Sequence, residues 1–214
     1  MKVYLNDGQI ATENLVPGIS VYGEKLISKS DKEYRLWNPY RSKLAAGLLN
    51  GMETLDILDH EKILYLGAST GTTVSHISDI VVNGMVYAVE FSPTTAKKLV
   101  HLSRRRGNIA PILGDATKPK SYLNLVEKVD LVYCDVAQPT QTNLFINNMN
   151  MFAKEDGLGL LMLKARSIDV VQKPKKIFKL EARKLKEKGF NILERIKLEP
   201  YEKDHVGFLV EKIF

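Results

Sequence analysis

Ile63-Leu64-Tyr65-Leu66-Gly67-Ala68-Ser69-Thr70-Gly71-Thr72-Thr73-Val74-Ser75-His76 reads as a strand, a turn and the start of a helix. Four apolar residues run without a break. Two glycines then bracket a small polar loop, and Thr72-Thr73 opens a stretch with helical spacing. A near-continuous apolar strand is buried on both faces, which points to a parallel sheet with helices above and below it. The pattern recurs downstream. Strands are expected at residues 63–66, 85–89, 109–112, 129–133 and 159–163, with helices near 73–81, 93–106, 119–127 and 140–153 between them. A further helix near 173–188 follows, then strands at 191–198 and 206–213 joined by the turn-like Glu199-Pro200-Tyr201-Glu202-Lys203-Asp204. That spacing suits an antiparallel hairpin at the edge of the sheet.

Upstream the texture differs. Residues 3–5, 19–22, 25–27 and 34–37 are short β-prone pieces separated by turn signals at Asn6-Asp7-Gly8, Pro17-Gly18, Gly23 and Ser30-Asp31. After Asn38-Pro39 a helix is expected from Arg41 to Leu49, ended by Asn50-Gly51. The division expected is a small N-terminal β-hairpin domain with its linking helix over 1–52, and an α/β domain over 53–214.

The 214 residues include 44% hydrophobic and 26% charged residues, a globular balance. Lys plus Arg exceeds Asp plus Glu by 31 to 25, which leans toward polyanionic partners. The single cysteine, Cys134, excludes an internal disulfide framework and any Cys-rich zinc site. It is expected as a small buried hydrophobe in the fourth strand. His60, His76 and His101 show no ligand spacing, so no metal is expected. No stretch approaches the ~20 apolar residues of a membrane helix, and a soluble, cytoplasmic protein with no membrane partner is expected.

In open α/β sheets ligands lie beyond the carboxyl ends of the strands. The residues there are Gly67, Ala68, Gly71, Thr72 and Thr73; Glu90 and Phe91; Gly114, Asp115 and Ala116; Asp135, Val136, Ala137 and Gln138; and Lys164-Ala165-Arg166. Glycines let a backbone close on a ligand. Threonines at a helix start favour a carboxylate or phosphate. An acid about 20 residues past the loop suits ribose hydroxyls, and Phe91 suits a flat base. Each feature has a plainer reading: a tight turn, a surface acid, or an aspartate capping its own turn. The loop lacks the G-x-G-x-x-G of dinucleotide sites, which lowers a dehydrogenase reading and suits S-adenosylmethionine, a cofactor with an amino-acid tail and no pyrophosphate.

Four strings carry a family resemblance: residues 37–45 (WNPYRSKLA), 65–76 (YLGASTGTTVSH), 135–141 (DVAQPTQ) and 163–169 (LKARSID). Together they resemble the fibrillarin family in its archaeal form, over nearly the entire chain. The resemblance implies a class I methyltransferase fold: a Rossmann-like, seven-stranded, mostly parallel sheet with a C-terminal antiparallel hairpin, behind a small N-terminal β domain. It implies S-adenosylmethionine-dependent methylation of ribose 2′-hydroxyls in ribosomal and transfer RNA, directed by a box C/D guide RNA within a ribonucleoprotein. The implied protein partners are a Nop-family scaffold and a kink-turn-binding ribosomal-type protein. By the same resemblance Thr72 and Thr73 hold the methionine carboxylate end and Glu90 takes the ribose. Phe91 packs on the adenine, Asp115 and Ala116 meet its edge, and Asp135 through Gln138 line the methionine and sulfonium region. Lys43, Asp135, Lys164 and His205 match a catalytic Lys-Asp-Lys core and its more variable fourth member. Read alone, Lys43 is equally a solvated helix lysine and His205 a turn histidine that caps backbone.

Residues 173–188 hold eight Lys or Arg against two Glu. Lys175, Lys176, Lys179, Arg183 and Lys186 fall on one arc, with Ile177, Phe178, Ala182 and Leu185 opposite. The stripe is either a solvated face or a phosphate contact. Arg104-Arg105-Arg106 forms a smaller cluster open to the same two readings. A methyltransferase with a protein or small-molecule acceptor shares the cofactor residues without needing the lysine pair, and a non-enzymatic RNA-binding component needs neither.

Overall fold

Every second residue of the first long strand belongs to a different core. Ile63 and Tyr65 pack on one face of the sheet, Leu64 and Leu66 on the other, and all four are buried. This is why the strand reads as an unbroken apolar run: there is no solvent face to mark. The computed structural model describes residues 1–6 and 8–213.

Four strands form a small antiparallel sheet: β1 (Tyr4–Asn6), β2 (Gln9–Glu13), β3 (Leu26–Lys29) and β4 (Lys32–Trp37), in the order β1-β2-β4-β3. Helix α1 (Lys43–Leu49) follows, its N-terminus capped by the Ser42 hydroxyl, which accepts from the Ala45 N–H. That cap starts the helix two residues later than the apolar pattern predicts. The large sheet alternates with helices: β5 (Lys62–Leu66), α2 (Thr72–Ile80), β6 (Met85–Glu90), α3 (Pro93–Ser103), β7 (Ile109–Leu113), a 3-10 turn over 119–125, β8 (Val129–Cys134), α4 (Gln141–Phe152) and β9 (Ala153–Lys164). A single helical turn, α5 (Ala165–Ile168), α6 (Pro174–Glu187) and the strands β10 (Phe190–Lys197) and β11 (His205–Lys212) complete it. The strand order is β10-β11-β9-β8-β5-β6-β7. The pairs from β9 to β7 are parallel, and β11 is antiparallel to both β9 and β10. The seven strands, the closing hairpin and the helices agree with the sequence pattern, except that the helix expected near 119–127 is a 3-10 segment interrupted at Tyr122.

Two further expectations need correction, and one strand was not expected. Residues 19–22 are not a strand: the Val21 and Tyr22 N–H groups donate to the Glu24 carboxylate, so the segment folds on its own acid rather than on a neighbour. The second strand of the small sheet is instead β2, at residues 9–13, whose polar Gln9, Thr12 and Glu13 conceal its period. The turn between β1 and β2 includes Asp7, which lies outside the described residues. Arg106 is not part of a surface cluster; its side chain is 1% exposed.

The reason lies under α2. One face of this helix packs on the large sheet, and its polar residues are buried too: Ser75, His76 and Asp79 meet the small sheet, and Ser78 meets Arg106 and Asn108. The Asp79 carboxylate accepts from Arg35 Nη1 on β4 at 2.8 Å and from Arg106 Nη1 at 2.5 Å. It also accepts from the Thr12 hydroxyl at 2.6 Å and the Leu15 N–H at 3.0 Å. Arg35 donates further to Glu24 and Ser75, and Arg106 to Asn14. His76 stacks on Trp37, with ring centroids 4.7 Å apart. Burial, together with the two guanidiniums, holds its imidazole well below the usual range, so it stays neutral. Since the Thr12 hydroxyl donates to Asp79, His76 Nδ1–H donates to Thr12, and Nε2 is left to accept from the Tyr22 hydroxyl at 2.8 Å.

Among the described residues no helix is long and apolar enough to cross a membrane.

Truncating Asp79 strands two buried guanidiniums. Asp79→Ala is expected to destabilise the protein by roughly 3–5 kcal/mol, measured as a fall in the urea midpoint.

Candidate active site

The carboxyl ends of β5 and β8 come unusually close, and a glycine permits it. Gly67 sits at φ 82°, and a Cβ there would lie 2.7 Å from the Asp135 carbonyl oxygen. Gly71 closes the loop in the left-handed region as the N-cap of α2. A Cβ there would strike Leu102 at 2.5 Å. The loop is thereby pulled back over the strand ends, and the Gly67 and Ala68 N–H groups both donate to the Val89 carbonyl at 3.0 Å.

Glu90 ends β6 and ties the loop down. One carboxylate oxygen accepts from the Ser69 N–H at 2.7 Å, and the other from the Ser92 N–H and the Thr95 hydroxyl. The next residue, Phe91, is 73% exposed. Beyond β7, Asp115 accepts from the Thr117 N–H and hydroxyl, and these bonds hold its carboxyl below the usual range. Beyond β8 the Asp135 N–H donates to the Leu66 carbonyl, which continues the β5–β8 ladder by one step. Gly67, Glu90, Phe91, Asp115, Ala116, Asp135, Val136, Ala137 and Gln138 meet around one cavity of about 510 Å³. Ala68, Gly71, Thr72 and Thr73 do not line it. Ala68 is buried in the core, and the Thr73 hydroxyl donates to the Ser42 hydroxyl at 3.0 Å. Thr72 borders a separate cavity on the far side of the α2 N-terminus.

At the edge of the first cavity Asp135 is joined by three other groups. Lys43, on the first turn of α1, pairs with Asp135, Nζ to Oδ1 at 2.8 Å. Lys164 ends β9 and His205 begins β11, and the antiparallel register sets them directly opposite each other. Burial raises the Asp135 carboxyl above the usual range, and the nearby charge of Glu202 adds to this. Lys43 and Lys164 oppose it. His205 is pushed down, first by burial and then by the two lysines, against the opposing effects of the Lys203 carbonyl and Glu202. The His205 Nδ1–H donates to the Lys203 carbonyl at 2.6 Å, so in the neutral ring Nε2 carries the lone pair. Two charges, a carboxylate and an imidazole with a set tautomer therefore share one corner.

Two residues here escape sequence reasoning. Gln141 is fully buried and holds the Lys164 backbone from both sides: its Nε2 donates to the Lys164 carbonyl at 3.1 Å and its Oε1 accepts from the Lys164 N–H at 3.3 Å. Gln141 closes the family string 135–141, but neither that string nor the polar run Gln138-Pro139-Thr140-Gln141 assigns it this role. Glu202 approaches His205 Nδ1 at 3.7 Å from the turn before β11, where spacing carries no information.

A model of the family described as fibrillarin matches residues 1–213. The chain belongs to the fibrillarin family. It is 53% identical over 210 residues to a protein named fibrillarin-like rRNA/tRNA 2′-O-methyltransferase from Methanothermobacter thermautotrophicus, covering 98% of this chain and 94% of that protein. Among solved structures it resembles Aeropyrum pernix fibrillarin with natively bound S-adenosyl-L-methionine, at TM-score 0.88 and 46% identity over 94% of this chain and 88% of that one. It also resembles a chain of a fibrillarin/Nop5p complex, at TM-score 0.92 and 43% identity over 99% and 98%. Within this family the fold is α/β, with the seven-stranded sheet and closing hairpin described above.

Because Lys43 opposes the effect of burial on Asp135, replacing it with the uncharged Lys43→Met is expected to raise the Asp135 titration further above the ordinary carboxylate range. Carbon-13 NMR of the carboxyl, followed against pH in both proteins, measures it.

Proposed function

We propose that this chain is an S-adenosylmethionine-dependent RNA 2′-O-ribose methyltransferase. Its targets are ribosomal and transfer RNA, and it serves the processing of both. The single observation that carries the reading is the junction of the two sites at Asp135, which lines the cavity and holds Lys43. The family and the names of its close relatives give the same reading.

The cavity residues suit the cofactor. Phe91 offers an exposed ring, Gly67 lets the loop after β5 close on the Asp135 backbone at the cavity, and the Glu90 oxygen that holds Ser69 accepts a single hydrogen bond among the described residues. In this reading Glu90 takes the ribose hydroxyls, Phe91 packs on adenine, and Asp115 and Ala116 meet its edge. Residues 135–138 line the sulfonium side. The carboxylate end reaches the first turn of α2, where the N–H groups of Thr72 and Thr73 have no intrahelical acceptor. S-adenosylmethionine supplies a methyl group already activated on a sulfonium.

The protein's share is alignment and proton removal. Asp135 fixes the Lys43 ammonium beside the cavity. Lys164 forms no ion pair among the described residues and is held by Gln141 at its backbone, so its ammonium is available to orient the ribose 2′-oxygen. In this reading His205 Nε2, the free nitrogen of a ring whose tautomer is set by the Lys203 carbonyl, accepts the hydroxyl proton. Asp135, in turn, offsets the repulsion between the two lysines.

The acceptor arrives as a polyanion. Lys175, Lys176, Lys179, Arg183 and Lys186 are exposed along α6, while Ile177, Phe178 and Leu185 anchor its other side in the core. This stripe contacts guide or target RNA phosphates. Site choice belongs to a box C/D guide RNA, so the enzyme reads backbone and shape. A Nop-family scaffold, like that in the fibrillarin/Nop5p complex, and a kink-turn-binding ribosomal-type protein complete a cytoplasmic particle.

Labelled S-adenosylmethionine and a short RNA in the reconstituted particle test the reaction. Label is expected only with guide present, is lost with a 2′-deoxy target nucleotide, and is lost in Asp135→Ala. Label on the deoxy target would overturn ribose chemistry. Phe91→Ala is expected to weaken cofactor binding by about 1–2 kcal/mol, read by calorimetry. Neutralising Lys175, Lys176 and Lys179 to Gln is expected to flatten the salt dependence of RNA binding by about two units of slope.

A further inference from the structure

The far side of the α2 N-terminus opens on a second cavity, of about 630 Å³, between the 15–25 loop of the small sheet and helix α3. Among the described residues no carboxylate lines it. Arg41, Lys97, Lys98 and Arg105 do, and all four are exposed. Many surface cations of this protein are paired: Lys32 with Glu13, Lys62 with Glu127, Lys154 with Asp130, Arg166 with Asp204 and Arg183 with Glu187. Among the described residues none of the four cleft cations pairs with a carboxylate. Arg41 is braced instead by an aromatic ring, its guanidinium carbon 5.0 Å from the Tyr22 ring centroid. Four unneutralised charges around one concavity repel each other. An incoming polyanion relieves that repulsion and releases its own counterions.

The cleft and the reactive corner are back to back. Arg41 and Lys43 flank Ser42, whose hydroxyl accepts from Thr73 at the start of α2. Arg41 faces the cleft while Lys43 reaches Asp135. The wall between the two is one turn of α1 against one turn of α2.

We infer that the cleft bordered by Arg41, Lys97, Lys98 and Arg105 is a phosphodiester track for the RNA strand that presents its ribose to Lys43, Asp135 and Lys164. The inference rests on the proposed RNA methylation. It adds a second basic surface, on the opposite flank of the reactive corner from the α6 side of the sheet, and it makes the small sheet a wall of the RNA path. The ligand class follows from the lining: the exposed cations meet no acid among the described residues, and the buried guanidinium that borders the cleft, Arg106, is already held by Asp79, so the lining suits a repeating anion rather than one small molecule.

The test is Lys97→Gln/Lys98→Gln/Arg105→Gln in the assembled particle, with a fluorescent guide-paired target RNA and a melting curve to verify folding. Anisotropy reads RNA binding apart from methyl transfer. The expected result is affinity for the RNA lower on the order of tenfold, with a log–log salt slope shallower by about two units. Cofactor affinity, scaffold co-elution and the transfer rate at saturating RNA stay unchanged. Unchanged affinity and slope would overturn the track. So would a matching loss of S-adenosylmethionine binding, which would assign the cleft to the cofactor, or loss of co-elution, which would assign it to a protein partner. A wild-type particle that binds the RNA with the expected slope but labels no ribose would count against the proposed reaction alone.

Discussion

Asp79 accepts from guanidiniums that reach it from two different elements, Arg35 from the small sheet and Arg106 from the chain after α3. A carboxylate fully out of water is tolerable only with such partners, and the partners are equally dependent on it. The consequence is mechanical. The small sheet cannot shift against α2 without leaving a buried charge unpaired. Trp37, stacked on His76, ends β4 at a set place, and the chain from Asn38 to Ser42 then delivers α1. Lys43 reaches Asp135 because the sheet behind it is held by Asp79.

The same arrangement separates two electrostatic environments within a short distance. On one side of the Ser42–Thr73 contact, burial and a counter-ion compete over Asp135, so its charge is sensitive to Lys43 and Lys164. On the other side, the arginine and lysine side chains of the cleft lie in water and pair with no acid among the described residues. A group that must move a proton gains from the first environment, and a chain of phosphates from the second. The turn before β11 belongs to the reactive side: Lys203 and Glu202 set the state of His205, and the β9–β11 register sets its place.

Periodicity and turn chemistry worked where burial is two-sided or simply alternating. The five parallel strands, the closing hairpin and α6, whose apolar and cationic residues divide cleanly between two faces, were legible for that reason. β2 was not, because Thr12 is polar yet fully buried, its hydroxyl spent on Asp79. Residues 19–22 misled in the opposite sense: β-prone side chains on a backbone that turns around Glu24. Arg106 looked like its neighbours Arg104 and Arg105, and only the location of Asp79 distinguishes it.

By itself the sequence determined the layered α/β plan, the polar loop after β5, and the acids and lysines at successive strand ends. These are local patterns, written in the spacing of apolar residues and glycines. It also carried the family strings. Tertiary structure alone decided that α2 is buried on both sides and that Gln141 grips the backbone of Lys164, and it brought Lys43 onto Asp135, a meeting that only the family strings had implied. It also turned Thr72 to the far side of α2. Those outcomes depend on which distant groups meet, through hydrogen bonds and ion pairs whose partners are separated by tens of residues, and no local period records them.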